Sequence, residues 1–540
     1  MSEPETKSQT GSTEKGPTSS VSDVPKESHS EIDLLAYHEH NAGRLVVDPE
    51  EAKIEFGEEV ASKLKLSKDG TKVLWPQPTD DPEDPQNWTD FRKNLQLFVI
   101  TLAAIIPDFN SGIGIADIFA LATQYDTTTG VINNLTSNWS IFLLGWGGLF
   151  AVMLMRRFGR LPVLFWSQVL ALGFLGGCTF APNLKTFTAM RCLTAFFATC
   201  PQVTGLYVVT DLFPFHLQAR KLNIWTMGFI ISPFLSPFAF GFLVARASWR
   251  WTYGIGCMYN GVVLALIVLF SEETIFDRKL PNPRPIPRAT NYLRYRIENL
   301  IGVTGWRMAK YRASWTEVVT VWFKLVWRPQ LLGILVFEAL VFGFSIGINT
   351  TNAVFLGSPP PVGYGFGPFA IAGGYGTPIV AVFIGELLGR FFNDWVMNLS
   401  IRRNKGVFEA ETRLWTCYIA VPLYICGFLV LGASFQKHLS VGALVMGWGI
   451  SEVAVMINTV AVYAYVNDCF PTLQGEISAL VNLARTLGGF SVAYFQVPWA
   501  TKNGALQTFG VEAALVAALF LMIVPVLQWK GRDLRKRFSY

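Results

Sequence analysis

Residues 191–241 read RCLTAFFATCPQVTGLYVVTDLFPFHLQARKLNIWTMGFIISPFLSPFAFG, and the fold is decided there. Two apolar runs, each long enough to cross a hydrocarbon core, flank a short polar turn from Asp211 to Lys221. The first run contains Arg191. A guanidinium among residues that otherwise suit lipid is expensive, so it marks a functional position by default. The second run is interrupted by Pro233 and Pro237, each of which removes a backbone donor. The turn has an echo far downstream, where Asp468-Cys-Phe-Pro471 repeats Asp211-Leu-Phe-Pro214. Both copies leave one apolar run and lead into another, which points to a duplicated membrane protein. A weaker echo sets Ile113-Gly114-Ile115 against Ile346-Gly347-Ile348.

Composition agrees. Of 540 residues, 51% are hydrophobic and only 15% charged, against about 25% charged in soluble domains. The net charge of +5 comes from Lys and Arg beside apolar runs rather than in one block, which suits membrane topology and not a nucleic-acid groove. The seven cysteines lie in or at the edge of apolar runs without a CxxC pair, so neither a disulfide framework nor a metal site is expected. The first ninety or so residues are polar and carry no leader, so the first internal apolar run serves as the insertion signal.

From that point apolar runs of about twenty residues recur. They fall near 95–119, 135–155, 161–180, 187–209, 222–244 and 251–270, then near 331–356, 369–391, 414–432, 441–466, 477–497 and 506–526. The expectation is an all-α membrane protein with twelve transmembrane helices in two pseudo-symmetric six-helix bundles. The divisions are a cytoplasmic, largely disordered tail (1–92), a first bundle (93–271), a cytoplasmic central loop (272–329), a second bundle (330–529) and a basic cytoplasmic tail (530–540). The stretch 50–66 suits short helices, and the prolines of VLWPQPTDDPEDPQNW exclude one, with Trp88 at the membrane interface. NYLRYRIENLIGVTGWRMAKY in the central loop reads either as an amphipathic helix on the inner leaflet or as a solvated linker.

Charge placement sets the expected orientation. Arg156, Arg157 and Arg160 lie between spans two and three, and Arg220 and Lys221 between four and five. Arg402, Arg403 and Lys405 lie between eight and nine, and a basic cluster closes the chain. The alternate connections are poor in base, Arg246 and Arg250 excepted. By the positive-inside rule both termini and the central loop are cytoplasmic.

With DPEDPQNW, RRFGRLPV after span two, Arg191, the Pro233/Pro237 pair, WRW at 249–251, GELLGRFFNDW, NKGVFEAETRLW and GEISALVNLARTLGGF in view, the chain after about Val73 resembles the major facilitator superfamily. The resemblance is to its fungal twelve-span drug:proton antiporter branch. Two departures stand out. The loop-two motif, usually G-x-L-x-D-R-x-G-R-R/K, has Val152 for its first glycine, Arg156 for its acid and Leu161 for its last base, so the usual cytoplasmic latch is not expected. The span-five motif G-P-x-x-G-P-x-x-G-G keeps Pro233, Pro237 and Gly241 but has Ser232, Ser236 and Phe240 for glycines. The kinked, helix-packing role of Pro233, Pro237 and Gly241 is implied, and the antiport direction less so.

Two halves related by an axis along the membrane normal place a substrate site near mid-membrane, between them. No glycine precedes a lysine, so there is no P-loop, and all five histidines lie outside the spans, so no histidine relay crosses the membrane. Carboxylates remain: Asp108, Glu338 and Glu452, joined by Glu386 near the inner end of span eight. A carboxyl group in apolar surroundings favours its neutral form and can therefore carry a proton, although a hydrogen-bonded structural carboxylate reads the same in sequence. The resemblance adds Arg191 to the proton-coupling set, with pairing to a carboxylate or to backbone carbonyls as the alternative. Gln202, Tyr207, Asn349, Asn352 and Trp448 are assigned to the substrate cavity. Arg160, Asp211, Arg220, Glu386, Arg390, Asp394, Asp468, Glu476 and Arg485 are assigned to a cytoplasmic gate of ion pairs, with solvated helix caps as the alternative. Asn134 and Asn138 head glycosylation sequons set very close to span two.

These readings make the chain no enzyme but a proton-driven secondary transporter, without cofactor or metal. Its partners are protons, a small-molecule substrate and the lipid bilayer, with no nucleic acid and a monomeric state. The expected activity is efflux of drugs, toxins or secondary metabolites across a fungal plasma membrane. An importer of organic cations or polyamines is the alternative on the same fold, and a transport-dead membrane sensor the alternative of another class.

Overall fold

The computed structural model describes residues 48–276, 291–360, 363–403, 409–470 and 473–538. The expected disorder of residues 1–47 and the bases at 402 and 405 lie outside what it describes at side-chain level. Twelve long helices follow the sequence spans in order: α1 Asp90–Ala116, α2 Thr129–Phe158, α3 Arg160–Thr179, α4 Leu184–Leu212, α5 Phe215–Val244, α6 Arg250–Phe270, α7 Pro329–Gly357, α8 Pro368–Met397, α9 Ala410–Lys437, α10 Val441–Cys469, α11 Gln474–Asn503 and α12 Ala505–Arg535. Among the described residues, eleven helices are long and apolar enough to cross a membrane. The long helix outside that set is α11, which carries Glu476, Asn482, Arg485 and Gln496 and packs between α2 and α7.

Irregular positions in these helices have local causes. In α5, Pro233 removes the N–H that Phe229 O would accept, and Ser232 Oγ donates to that carbonyl instead, at 2.6 Å. Pro237 likewise frees Pro233 O, and this oxygen accepts from Asn349 Nδ2 of α7 at 3.3 Å. α4 is interrupted at Thr199, just before Pro201. α7 and α11 cross where Gly343 lies against Gly488 and Gly489, so closely that a Cβ on Gly488 would meet Ala339 O. Small residues let helix backbones approach like this inside a bilayer.

The end where α1 starts and α12 finishes, here called the basic end, is covered on the first half by the segments that flank it. Residues 48–92, expected in a largely disordered tail, are folded. Asp48 and Asp84 cap short helical turns, and Ala52, Val73 and Trp75 form a small buried cluster. Gln86 Nε2 reaches Asp211 O at 2.7 Å, and Arg92 pairs with Glu272 at the end of α6. Trp88 is buried under Arg92, 3.9 Å from the ring centroid, rather than presented to lipid. The central-loop stretch folds as helices Tyr292–Ile301 and Val303–Met308, held to α2 and α3 by Phe158–Trp306 stacking and by Trp166 Nε1 on Ile301 O. Tyr292, Leu293, Ile297 and Trp306 stay exposed, the apolar face that an amphipathic surface helix requires.

Gly488→Val should separate α7 from α11 and destabilise the protein by on the order of 1–3 kcal/mol. Gly254→Ala, where an added Cβ meets open space, should leave the thermal unfolding midpoint of the detergent-purified protein unchanged. Equal midpoints for the two variants would show that the glycine crossing does not set the packing.

Candidate functional site

Between the halves lies a narrow cavity of ≈ 40 Å³ lined by Asp108, Ser111 and Gly112 of α1, Pro233 and Phe234 of α5, Phe342, Ser345 and Asn349 of α7, and Arg485 and Thr486 of α11, among others. That is room for a few waters. Drug-sized ligands occupy clefts of roughly 300–1,000 Å³, so the halves must part before such a molecule enters. Asp108 accepts from Gln202 Nε2 of α4 at 2.5 Å. Arg485 faces the same cavity from the other half, its guanidinium 3.3 Å from the Phe342 ring centroid and 3.2 Å from Tyr463 Oη. Thus one carboxylate and one guanidinium, from opposite halves, line one space. Arg485, expected at the cytoplasmic gate, sits instead roughly 16 Å along α11, at 1.5 Å per residue from Gln474.

The remaining assigned residues separate into distinct places. Arg191 is 1% exposed and donates to the carbonyls of Asn110 and Ser111, at 2.5 and 3.0 Å, in the α1 segment that follows Pro107 and Asp108. Glu338 accepts from Asn458 Nδ2 and Thr459 Oγ1 at 3.1 and 3.0 Å, inside the second half. Glu452 accepts from Ser345 Oγ at 2.9 Å and from Trp448 Nε1 at 3.3 Å. Trp448 therefore packs behind the cavity wall, against Tyr375, as a holder of Glu452. Asn349 lines the cavity, whereas Asn352 is fully buried beside it in sequence and outside the lining. Asn138 is 1% exposed and donates to Asn134, which leaves no room for a glycan on it.

Tyr207, assigned to the cavity, lies at the basic end. Its hydroxyl donates to Glu476 Oε2 at 2.9 Å, and the Arg160 guanidinium stacks over its ring at 4.4 Å. Glu476 opens α11 and also pairs with Arg156 of α2 at 2.7 Å. This contact joins the two halves. The position that holds an acid in the loop-two motif holds a base here, and the opposing helix supplies the acid. The repeated turns carry matching pairs: Arg160 with Asp211 in the first half, Arg413 with Asp468 at 2.9 Å in the second. Glu273, which sequence reasoning passed over, accepts from the N–H groups of Arg160 and Leu161, both at 3.1 Å, and so caps the start of α3. Arg220, Arg390 and Asp394 are exposed, and no ion pair joins Glu386, Arg390 and Asp394 among the described residues.

The opposite end is closed by apolar contact. Gly241 backs onto Ala372, Phe242 meets Phe369 at 6.2 Å between ring centroids, and Arg246 stacks over Phe369. Contacts between the halves thus lie at both ends of the cavity. Two further buried acids escaped the sequence reading although both sit at the edge of or inside apolar runs: Asp117, bonded by Thr252 Oγ1 at 2.7 Å, and Glu512 of α12, bonded by Gln496.

Residues 96–493 match the family model described as Major Facilitator Superfamily. The chain belongs to the major facilitator superfamily. It is 24% identical over 522 residues to the efflux pump radE of Floropilus chiversii, covering 94% of this chain and 92% of that protein. An uncharacterized MFS-type transporter of Schizosaccharomyces pombe is 23% identical over 536 residues, covering 87% of this chain and 89% of its own. The solved xylose transporter XylE of E. coli, in a partially occluded inward-open conformation, superimposes with a TM-score of 0.55 at 15% identity, over 80% of this chain and 99% of its own. The protein is thus a multi-pass membrane transporter of this all-helical fold, and not an enzyme.

Removing one partner of a poorly solvated ion pair costs about 3–5 kcal/mol, so Arg156→Glu should open the basic end. The readout is alkylation of a cysteine placed at Asn349 in a cysteine-free background, using a membrane-impermeant maleimide. The rate should rise in Arg156→Glu and return toward the starting value when Glu476→Arg is added. A double variant as reactive as the single one would remove the pair from the gate.

Proposed function

We propose that this transporter is a proton-coupled exporter of amphipathic organic molecules, drugs, toxins or secondary metabolites, working by alternating access with its basic end in the cytoplasm. The observation that carries the reading is the placement of Asp108 and Arg485 on opposite walls of one cavity, lined otherwise by apolar and uncharged polar side chains. While Asp108 is charged, Coulomb attraction between the two favours approach of the halves. A proton on Asp108 abolishes that attraction, so protonation and substrate entry act on the same closure. Asn349 reinforces it by spanning the halves to Pro233 O. Largely apolar walls with a few polar groups suit amphipathic compounds, and the Floropilus relative is an efflux pump. Bases concentrated at one end support the cytoplasmic orientation, with the plasma membrane as the proposed location. Arg191, by fixing the α1 carbonyls next to Asp108, is the proposed support of the proton site, and Glu338 and Glu452 are proposed as its counterparts in the second half.

The test is untargeted metabolomics of cells lacking the protein and of the same cells carrying wild type or Asp108→Asn, at matched membrane levels. Export predicts compounds retained inside without the protein, restored to low levels by wild type and not by Asp108→Asn. Lower internal levels without the protein would instead establish import. Wild-type behaviour of Asp108→Asn, combined with loss of phenotype on deleting 1–92, would establish a sensor.

A further inference from the structure

A second hollow, of ≈ 270 Å³, lies on the outer surface of the first half, between α2, α3 and α4. Its rim is exposed at Phe150, Trp166 and Leu170, and its floor is buried at Ala151, Ser167 and Cys200. Along α2 it extends from Gly147 to Phe158, roughly 16 Å at 1.5 Å per residue. That is about the depth of one leaflet, half of a hydrocarbon core some 30 Å thick. The two hydrogen-bonding side chains of the floor are engaged within their own helices, Ser167 with Leu164 O at 2.8 Å and Cys200 with Thr204 Oγ1 at 3.6 Å. The floor therefore offers a guest packing and no hydrogen bond.

At the basic end the central-loop helices complete the groove with Ile301, Gly302 and Trp306. Gly305 lies so near Phe158 O that a Cβ would collide with it, and this close approach seats the loop helices on the end of α2. Between Tyr292 and Arg312 the loop carries five bases and one acid. Arg294 pairs with Glu298, Arg296 donates to the carbonyls of Val268 and Ser271, and Arg312 donates to Arg157 O. Arg307 and Lys310 are exposed and form no ion pair or hydrogen bond among the described residues. Arg307 directly follows Trp306 and Lys310 comes four residues after it, which puts two uncompensated cations by the mouth of an apolar groove.

We propose that this groove binds an anionic phospholipid of the leaflet on the basic side, with one acyl chain between α2, α3 and α4 and the headgroup on Arg307 and Lys310. A sterol would also fill apolar walls, but its single neutral hydroxyl gains little from two cations. A zwitterionic headgroup brings its own cation to the same place. The bound lipid would hold the central-loop helices, which link the two halves in sequence, against the first half. The choice of leaflet rests on the cytoplasmic orientation proposed above, because the cytoplasmic leaflet is the anionic one; the binding itself does not.

The test is photo-crosslinking of the full-length protein in lipid nanodiscs, using phosphatidylserine or phosphatidylcholine with a diazirine on the acyl chain and mapping the labelled peptides by mass spectrometry. Phosphatidylserine should label residues 147–170, 196–200 and 301–306 above other lipid-facing segments, and more than phosphatidylcholine does at equal content. In Arg307→Gln/Lys310→Gln, half-maximal labelling should need about 25-fold more phosphatidylserine, about fivefold for each base near the membrane surface. Both side chains are exposed, so this variant should keep the wild-type thermal midpoint. Ala151→Phe, which fills the groove, should reduce labelling there by both lipids. Label spread evenly over the lipid-facing helices overturns the site. Equal labelling by the two lipids, or an unchanged response in the double variant, overturns the headgroup assignment. Displacement by a sterol and not by unlabelled phosphatidylserine would put a sterol in the groove and overturn the proposal. Discs carry the same lipids on both faces, and no outcome depends on how Asp108→Asn behaves in cells, so failure of the exporter reading is separately visible.

Discussion

In hydrocarbon every backbone oxygen needs a donor from within the protein, and this constraint explains where the bundle is bent and where its halves touch. α5 contains two prolines four residues apart. The carbonyl freed by Pro233 finds a donor on its own helix, Ser232. The carbonyl freed by Pro237 finds one on the other half, Asn349. The same helical irregularity is thus used once to keep a helix intact and once to hold two bundles together. Arg191 obeys the rule from the other side, for its guanidinium is made tolerable by the carbonyls of Asn110 and Ser111.

The duplicated turns show how symmetry and its breaking divide the labour. Arg160–Asp211 and Arg413–Asp468 occupy equivalent places, each staying inside its half. They brace the bundles as rigid bodies. Arg156–Glu476 runs between bundles and has no such twin among the described ion pairs. Any rocking of one half on the other would make or break such a contact, while the symmetric pairs would travel with their own halves.

The fold was legible because run length and the spacing of bases are properties of sequence alone. The cavity was legible where a break accompanied a polar residue, as at Pro107-Asp108, and less so elsewhere. Arg485 was put at the gate because its neighbours in sequence include Glu476, whereas α11 carries it three turns deeper. Tyr207 was misplaced in the opposite sense, being five residues from the end of α4 and within reach of Glu476. Glu512 carries a usable signal, an acid alone in an apolar run two residues after Gly510, but lacks a proline beside it of the kind that marks Asp108. Asn349 drew notice as a polar residue, yet its partner is a backbone oxygen that only the three-dimensional path of α5 reveals.

The polarity of α11 has a consequence for how the protein is made. A segment with Glu476, Asn482, Arg485 and Gln496 gains little by entering lipid on its own. Its polar groups are answered by α2, α4, α10 and α12, through Arg156, Thr199, Tyr463 and Glu512. Three of those four helices precede it in the chain and one follows. Insertion of α11 is therefore coupled to assembly, the first half and α10 acting as a template that α12 completes. The helix that brings Arg485 to the cavity is thus one whose place in the membrane depends on its neighbours.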